Sequence, residues 1–153
     1  MPKSKRRIER IMSRIHDTTI DSTRDDFELH DCEDAKTLIR LRGELIVYSG
    51  TEILSPIFGE LLVHVAPNNT LTVTPATAQA LDAPVPVQEI MRIPFMTVRN
   101  LDPATVFGYP YEIKFDTKVM RKFKQNDRLY ASVITNSTID MTMYGNIYAW
   151  FKE

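Results

Sequence analysis

The side chains with the most chemical potential in this sequence are cations. Lys3, Lys5, Arg6, Arg7, Arg10 and Arg14 crowd the first sixteen positions, where Glu9 is the sole acidic residue, a local balance of +5. Guanidinium and ammonium groups at that density pair with phosphates, and release of counterions from a polyanion gives such contacts their affinity. The other 137 residues hold 13 basic and 19 acidic side chains, so a total charge of −1 conceals a basic tail on an acidic body. Such asymmetry points to a tail with its own partner. A second basic concentration spans 114–128, with Phe115 and Phe123 interleaved among Lys114, Lys118, Arg121, Lys122, Lys124 and Arg128. Backbone contact plus base stacking suits that composition, with Lys118, Arg121 and Lys122 as its candidate nucleic-acid contacts. A charged loop between two strands accounts for it equally.

Catalytic parts are scarce. His16, His30 and His64 are scattered, and only His30 lies near the single cysteine, Cys32. No third and fourth ligand at zinc spacing accompanies them, so no metal and no cofactor is expected. The five glycines are dispersed, and none falls in a phosphate-binding loop pattern. The acidic run Asp25, Asp26, Glu28, Asp31, Glu33, Asp34 offers oxygens to a hard cation but lacks the EF-hand spacing, and a solvated linker explains it more simply. An enzyme is therefore the least favoured class.

The elements that must carry these groups are read from period. Ile8, Ile11, Met12 and Ile15 recur at i, i+3, i+4, i+7, which predicts a short amphipathic helix with the arginines on its opposite side. Alone, such a helix is marginal in water, so its apolar stripe needs a surface to dock on, and those four residues are candidate subunit contacts. Three uses of the tail stay open: binding nucleic acid, lying on a membrane surface, or remaining a solvated terminus. The run Lys3-Ser4-Lys5-Arg6-Arg7 also has the composition of a nuclear import signal.

Beyond residue 24 the period becomes two. Strands are expected at 27–30, 37–48, 60–65, 71–74, 90–99, 111–116, 128–136 and 139–152. In 37–48, Ile39, Leu41, Leu45 and Val47 point one way and Arg40, Arg42 and Glu44 the other, with Gly43 on the apolar side permitting a bulge or a close contact. Pro94 makes its strand an edge or breaks it. One helical turn is possible at 76–81. The last run carries Met141, Met143, Ile147, Ala149 and Phe151 on one face and Tyr144, Tyr148 and Trp150 on the other. A strand apolar on both faces is either a covered core strand or offers its aromatic face to another subunit. Eight strands without a body helix predict an all-β fold, an eight-stranded antiparallel jelly-roll sandwich at 25–153 behind a basic arm and linker at 1–24.

Two segments then stand out in order: Ala35-Lys36-Thr37-Leu38-Ile39-Arg40-Leu41-Arg42-Gly43, and Phe115-Asp116-Thr117-Lys118-Val119-Met120-Arg121-Lys122-Phe123. They resemble the Thr-Leu-Val-Arg-x-Arg-Gly and Asp-x-Lys-x-Met-Arg-Lys-Leu patterns of coat proteins from small circular single-stranded DNA viruses. The resemblance runs over about residues 35–153, with Phe123 in place of the expected leucine and a basic arm shorter than many such proteins carry. It implies a single jelly-roll capsid protein that assembles with itself into an icosahedral shell around single-stranded DNA. The chain would then reside in the virion and, during assembly, in the host cell, including its nucleus. No membrane partner and no small-molecule substrate are expected. The alternative from another class is a soluble single-stranded nucleic-acid-binding β module with aromatics on an open sheet face. A carbohydrate-binding sandwich ranks third.

Overall fold

The computed structural model describes residues 6–21, 24–49, 56–66, 88–97 and 111–153. They form eight strands: β1 Ile8–Ile20, β2 Asp25–Asp31, β3 Lys36–Tyr48, β4 Ile57–Ala66, β5 Gln88–Thr97, β6 Tyr111–Phe123, β7 Arg128–Thr135 and β8 Met141–Lys152. Two four-stranded sheets result, in the orders β1-β8-β3-β6 and β2-β7-β4-β5, and every pairing is antiparallel. Among the described strands, all but one of the steps from one strand to the next change sheet. Each sheet therefore interleaves early and late strands, which is the strand order of a jelly roll.

Alternation builds the core. Leu41, Leu45 and Val47 of β3, Leu61, Val63 and Val65 of β4, Leu129, Ala131 and Val133 of β7, and Met141, Met143, Ile147, Ala149 and Phe151 of β8 are all buried between the sheets. Each fully buried aliphatic side chain contributes about 1.5–3 kcal/mol. Phe123 and Phe151 meet edge to face, 5.3 Å between centroids at 84°, and close one end.

Gly43 and Gly145 are both required as glycine. A Cβ at Gly43 would overlap the ring of Phe115, its cross-strand partner, so the close contact allowed by sequence is realised here. The bulge in β3 falls elsewhere, between Leu38 and Arg40, and takes Ile39 out of the core pattern. Gly145 has φ +148°, a conformation costly for any L side chain, and a Cβ there would strike the Glu44 carbonyl.

The expected N-terminal helix is absent: residues 8–20 are strand β1, paired along β8 from Ile8↔Lys152 to Ile20↔Met141. The spacing that reads as one helical stripe separates at period two into Ile8 and Met12 on one side and Ile11 and Ile15 on the other. Pairing wins because β8 would otherwise leave a row of backbone donors and acceptors unbonded, and Ile8, Ile11, Ile15, Thr18, Thr19 and Ile20 suit a strand. The sandwich therefore begins at Ile8, within the segment expected to be arm and linker. The strand expected at 71–74 and the helical turn at 76–81 lie outside the described residues. The strand expected at 111–116 continues to Phe123 as β6, so the basic segment, for which a charged loop was one of two readings, is mostly strand. A turn follows in which Asn126 (φ 68°) and Asp127 return the chain, Asp127 Oδ2 accepting from Lys124 N at 2.8 Å. Pro94 does lie in an edge strand, β5, opposite Glu60.

Replacing Gly43 with Val should cost about 1–3 kcal/mol by overpacking against Phe115. The same substitution made beside Phe115→Ala should cost measurably less. Urea midpoints of the two single variants and the double variant measure that coupling, and strict additivity would contradict the contact.

Candidate functional site

The outer face of sheet β1-β8-β3-β6 gathers most of the chemistry. The register builds four cross-strand rows: Arg10–Trp150–Arg40–Lys118, Met12–Tyr148–Arg42–Asp116, Arg14–Asn146–Glu44–Lys114 and His16–Tyr144–Ile46–Glu112. Beyond the first row, Ile8, Lys152, Thr37 and Lys122 continue the lattice in the same order. Aromatic groups thus occupy the central strand β8, and cations lie on both edge strands. The sequence dictates this directly: on each strand the residues alternate with core positions.

The face is internally ordered. The Arg40 guanidinium lies 4.6 Å from the Trp150 ring centroid and is held by Asp116 through two hydrogen bonds, Nε–Oδ1 at 2.8 Å and Nη2–Oδ2 at 2.6 Å. That guanidinium keeps the Asp116 carboxyl below its ordinary pKa. Tyr148 has Arg10 and Arg42 at 5.9 and 6.0 Å from its centroid, and Arg42 also pairs with Glu44 at 2.7 Å. Tyr148 and Trp150 are 6.3 Å apart, and Tyr48 meets Tyr144 edge to face at 6.0 Å. A shallow depression between Arg42, Glu44, Lys114 and Asp116 opens over Gly43 and Phe115. Planar cations and π faces fixed in register can take up flat groups and anions together.

The residues singled out from sequence divide as follows. Arg10, Arg14, Lys118 and Lys122, expected to bind nucleic acid, stand on this one face together with Tyr144, Tyr148 and Trp150, expected at a subunit contact. Arg6 and Arg7 precede β1 and are exposed, and the Arg7 carbonyl accepts from Glu153 N at 3.1 Å. Arg121 stands opposite buried Leu38 and is half-buried, away from the face. Ile8 and Met12 are exposed on it, whereas Ile15 is buried and Ile11 packs against the core. Lys3 and Lys5 lie outside the described residues. Sequence reasoning left out Arg40, Arg42 and Asp116, although the alternation of Arg40, Arg42 and Glu44 with core residues already placed those three side chains on a common face.

A second polar cluster is buried on the outer side of the other sheet. Arg24 Nε bonds Asp26 Oδ1 at 2.9 Å, the Ser132 hydroxyl donates to the same oxygen, and His64 Nε2 lies 2.7 Å from Ser132 Oγ. With the hydroxyl proton committed to Asp26, His64 donates from Nε2, and its buried Nδ1 has no described partner. The carboxylate here serves serine rather than histidine, so the three side chains do not have the order of a nucleophile triad. Burial, with Arg24 adding to it, lowers the His64 pKa to about 4. Burial and the carboxylates of Asp17, Asp21 and Asp26 raise Asp25 to about 6. Cys32 is fully buried, and burial pushes its thiol to about 11, the opposite of a reactive thiolate. Among the described residues, no three His, Cys, Asp or Glu side chains are grouped to hold a metal.

No protein-family model matches the chain, and no curated sequence does. Among solved structures it is similar to Eiger TNF from S. frugiperda, at 7% identity and TM-score 0.44, over 94% of this chain and 93% of that one. It is also similar to the Desmodium yellow mottle tymovirus structure, at 14% identity and TM-score 0.39, over 99% of this chain and 91% of that one. Both likenesses are distant, and the fold assignment rests on the strand order itself.

The two shifted groups act oppositely on stability. From pH 6.5 down to about 4 the unfolded chain protonates His64 while the folded chain does not, so stability falls with pH by up to about 3 kcal/mol. Between about pH 6 and 3.8 only the folded chain protonates Asp25, so that group adds stability as pH falls. His64→Gln should flatten the acid-side loss, and Asp25→Asn should steepen it. Urea midpoints from pH 7 to 4 measure both slopes, and parallel profiles for all three proteins would refute the assignment.

Proposed function

We propose that this chain is a coat subunit that assembles with copies of itself into a closed shell around a single-stranded DNA genome. The observation that carries the reading is the meeting of the two segments that resemble such coat proteins. Residues 35–43 and 115–123 are far apart in sequence, yet they lie on paired strands β3 and β6. There Arg40 of the first segment binds Asp116 of the second, and Gly43 of the first receives the ring of Phe115 of the second. A motif pair that forms one contact unit supports a common fold and role better than two isolated strings do.

The surface also supports self-association. Phe58 and Met96 form an exposed cross-strand pair on β4 and β5, and Met120 of β6 is 83% exposed. Exposed apolar groups of this kind suit contacts between copies. A second reading, a soluble single-stranded nucleic-acid-binding module, is favoured by the cationic and aromatic face and needs no assembly.

Expressed alone and fractionated by size, the chain should yield closed particles visible by electron microscopy. Phe58→Asp combined with Met96→Asp should shift it toward monomer without changing its circular dichroism. A wild-type protein that stays monomeric at every salt concentration while binding single-stranded DNA would transfer support to the second reading.

A further inference from the structure

We infer that the outer face of β1-β8-β3-β6, rather than the residues preceding it, is the principal contact surface for single-stranded nucleic acid. The inference deepens the coat reading and rests on it for the identity of the polyanion that reaches this face. Three observations carry it.

The first is charge. Eight cations and three carboxylates stand on the lattice between Ile8 and Glu112. All three carboxylates are engaged in ion pairs, Asp116 with Arg40, Glu44 with Arg42 and Glu112 with Lys114. Arg10, Arg14, Lys118, Lys122 and Lys152 remain without an ion pair to any described residue. The face is thus complementary to a polyanion, and its carboxylates are already neutralised by neighbours.

The second is spacing. Arg10 and Arg14 on one edge strand, and Lys114, Lys118 and Lys122 on the other, repeat every four residues, about 13 Å along a strand. The two edges are three strand spacings apart, about 14 Å. Between these cationic rims lie Tyr148 and Trp150. A backbone following a rim brings its bases inward over π faces and over the Arg40 plane, which is already stacked on Trp150.

The third is preorganisation. Trp150 is held by Arg40, and Arg40 by Asp116, so the central planes are ordered before any ligand arrives. A protein partner fits this face less well, because protein interfaces are depleted of lysine and this face carries Lys114, Lys118, Lys122 and Lys152. Duplex DNA could engage the cations but would hide its base faces from Tyr148 and Trp150.

Trp150 is the sole tryptophan of the chain and reports on its own site. Titrating the full chain with oligothymidylate should quench Trp150 fluorescence saturably, with affinity falling steeply as salt rises. Duplex DNA of equal length should bind more weakly. Tyr148→Ala should weaken oligothymidylate binding about tenfold while Tyr148→Phe retains it. Arg14→Glu with Lys118→Glu should weaken binding at least about tenfold and reduce the salt slope. Circular dichroism and electron microscopy of the same variants separate this outcome from loss of fold or of particles. Intact particles with diminished binding support the inference. Absence of quenching, affinity unchanged in both sets of variants, or equal quenching by anionic phosphatidylserine vesicles would overturn it. Lost particles with undiminished binding would make the face a subunit contact instead, and would leave the coat reading standing.

Discussion

The structure depends on the C-terminal strand being hydrogen-bonded along both edges. β8 runs between β1 and β3, and its end is tied to the start of the chain by the Glu153 amide on the Arg7 carbonyl. A strand in that position must send one set of side chains into the core, and Met141, Met143, Ile147, Ala149 and Phe151 comply. The alternate set is then forced outward in a row, and both neighbouring strands are brought into register with it. The aromatic row, the arginines that flank it and the burial of Ile15 on the inner side are consequences of one pairing pattern. Gly145 permits it, because its backbone approaches the Glu44 carbonyl more closely than any side chain would allow.

Most of the fold was legible in the sequence for a simple reason: a period of two needs no tertiary knowledge to be read. The runs at 37–48, 60–65 and 128–136 alternate visibly, and Pro94 marked its strand as either an edge or a break. The N-terminal segment was misread because i, i+3, i+4, i+7 spacing is also what two interleaved strand faces produce when both are partly apolar. Helical spacing over one short segment cannot decide between them. The decision lies in the open edge of β8, more than 120 residues away in sequence, which offers backbone partners that an isolated helix lacks. Ile39 was misplaced for a related reason, since the bulge between Leu38 and Arg40 resets the alternation without any glycine or proline to announce it.

The candidate site was legible as parts and not as a whole. Arg10, Arg14, Lys118, Tyr148 and Trp150 were each singled out, but they were assigned to two surfaces because the tail was read as separate from the sandwich. Arg40 and Asp116 received no role because an exposed arginine and an exposed aspartate, 76 residues apart, give no signal of meeting. Their ion pair illustrates a division of labour in the molecule. Both partners are about half-exposed, where pairs add little to stability but can fix a geometry. The buried Arg24–Asp26–Ser132–His64 cluster has the reverse character. It orders β2, β7 and β4 against one another, and removal of any one partner would strand a polar group away from water.

Moving the basic residues from a tail to a sheet changes the physics of how they bind. A disordered arm reaches far but must lose conformational freedom as it engages a ligand, which subtracts from its affinity. Arg10 and Arg14, fixed on β1 opposite Trp150 and Asn146, have lost that freedom on folding. Their charges also no longer act alone, because the β6 lysines present the same sign across the sheet and the indole between them is capped by a third cation. Long-range attraction can still draw a polyanion to the surface, as it would to an arm. What the sheet adds is a preset relation between phosphate contacts and stacking planes, which a tail of the same composition cannot hold. A cationic segment of this chain is therefore best understood by the strand it completes.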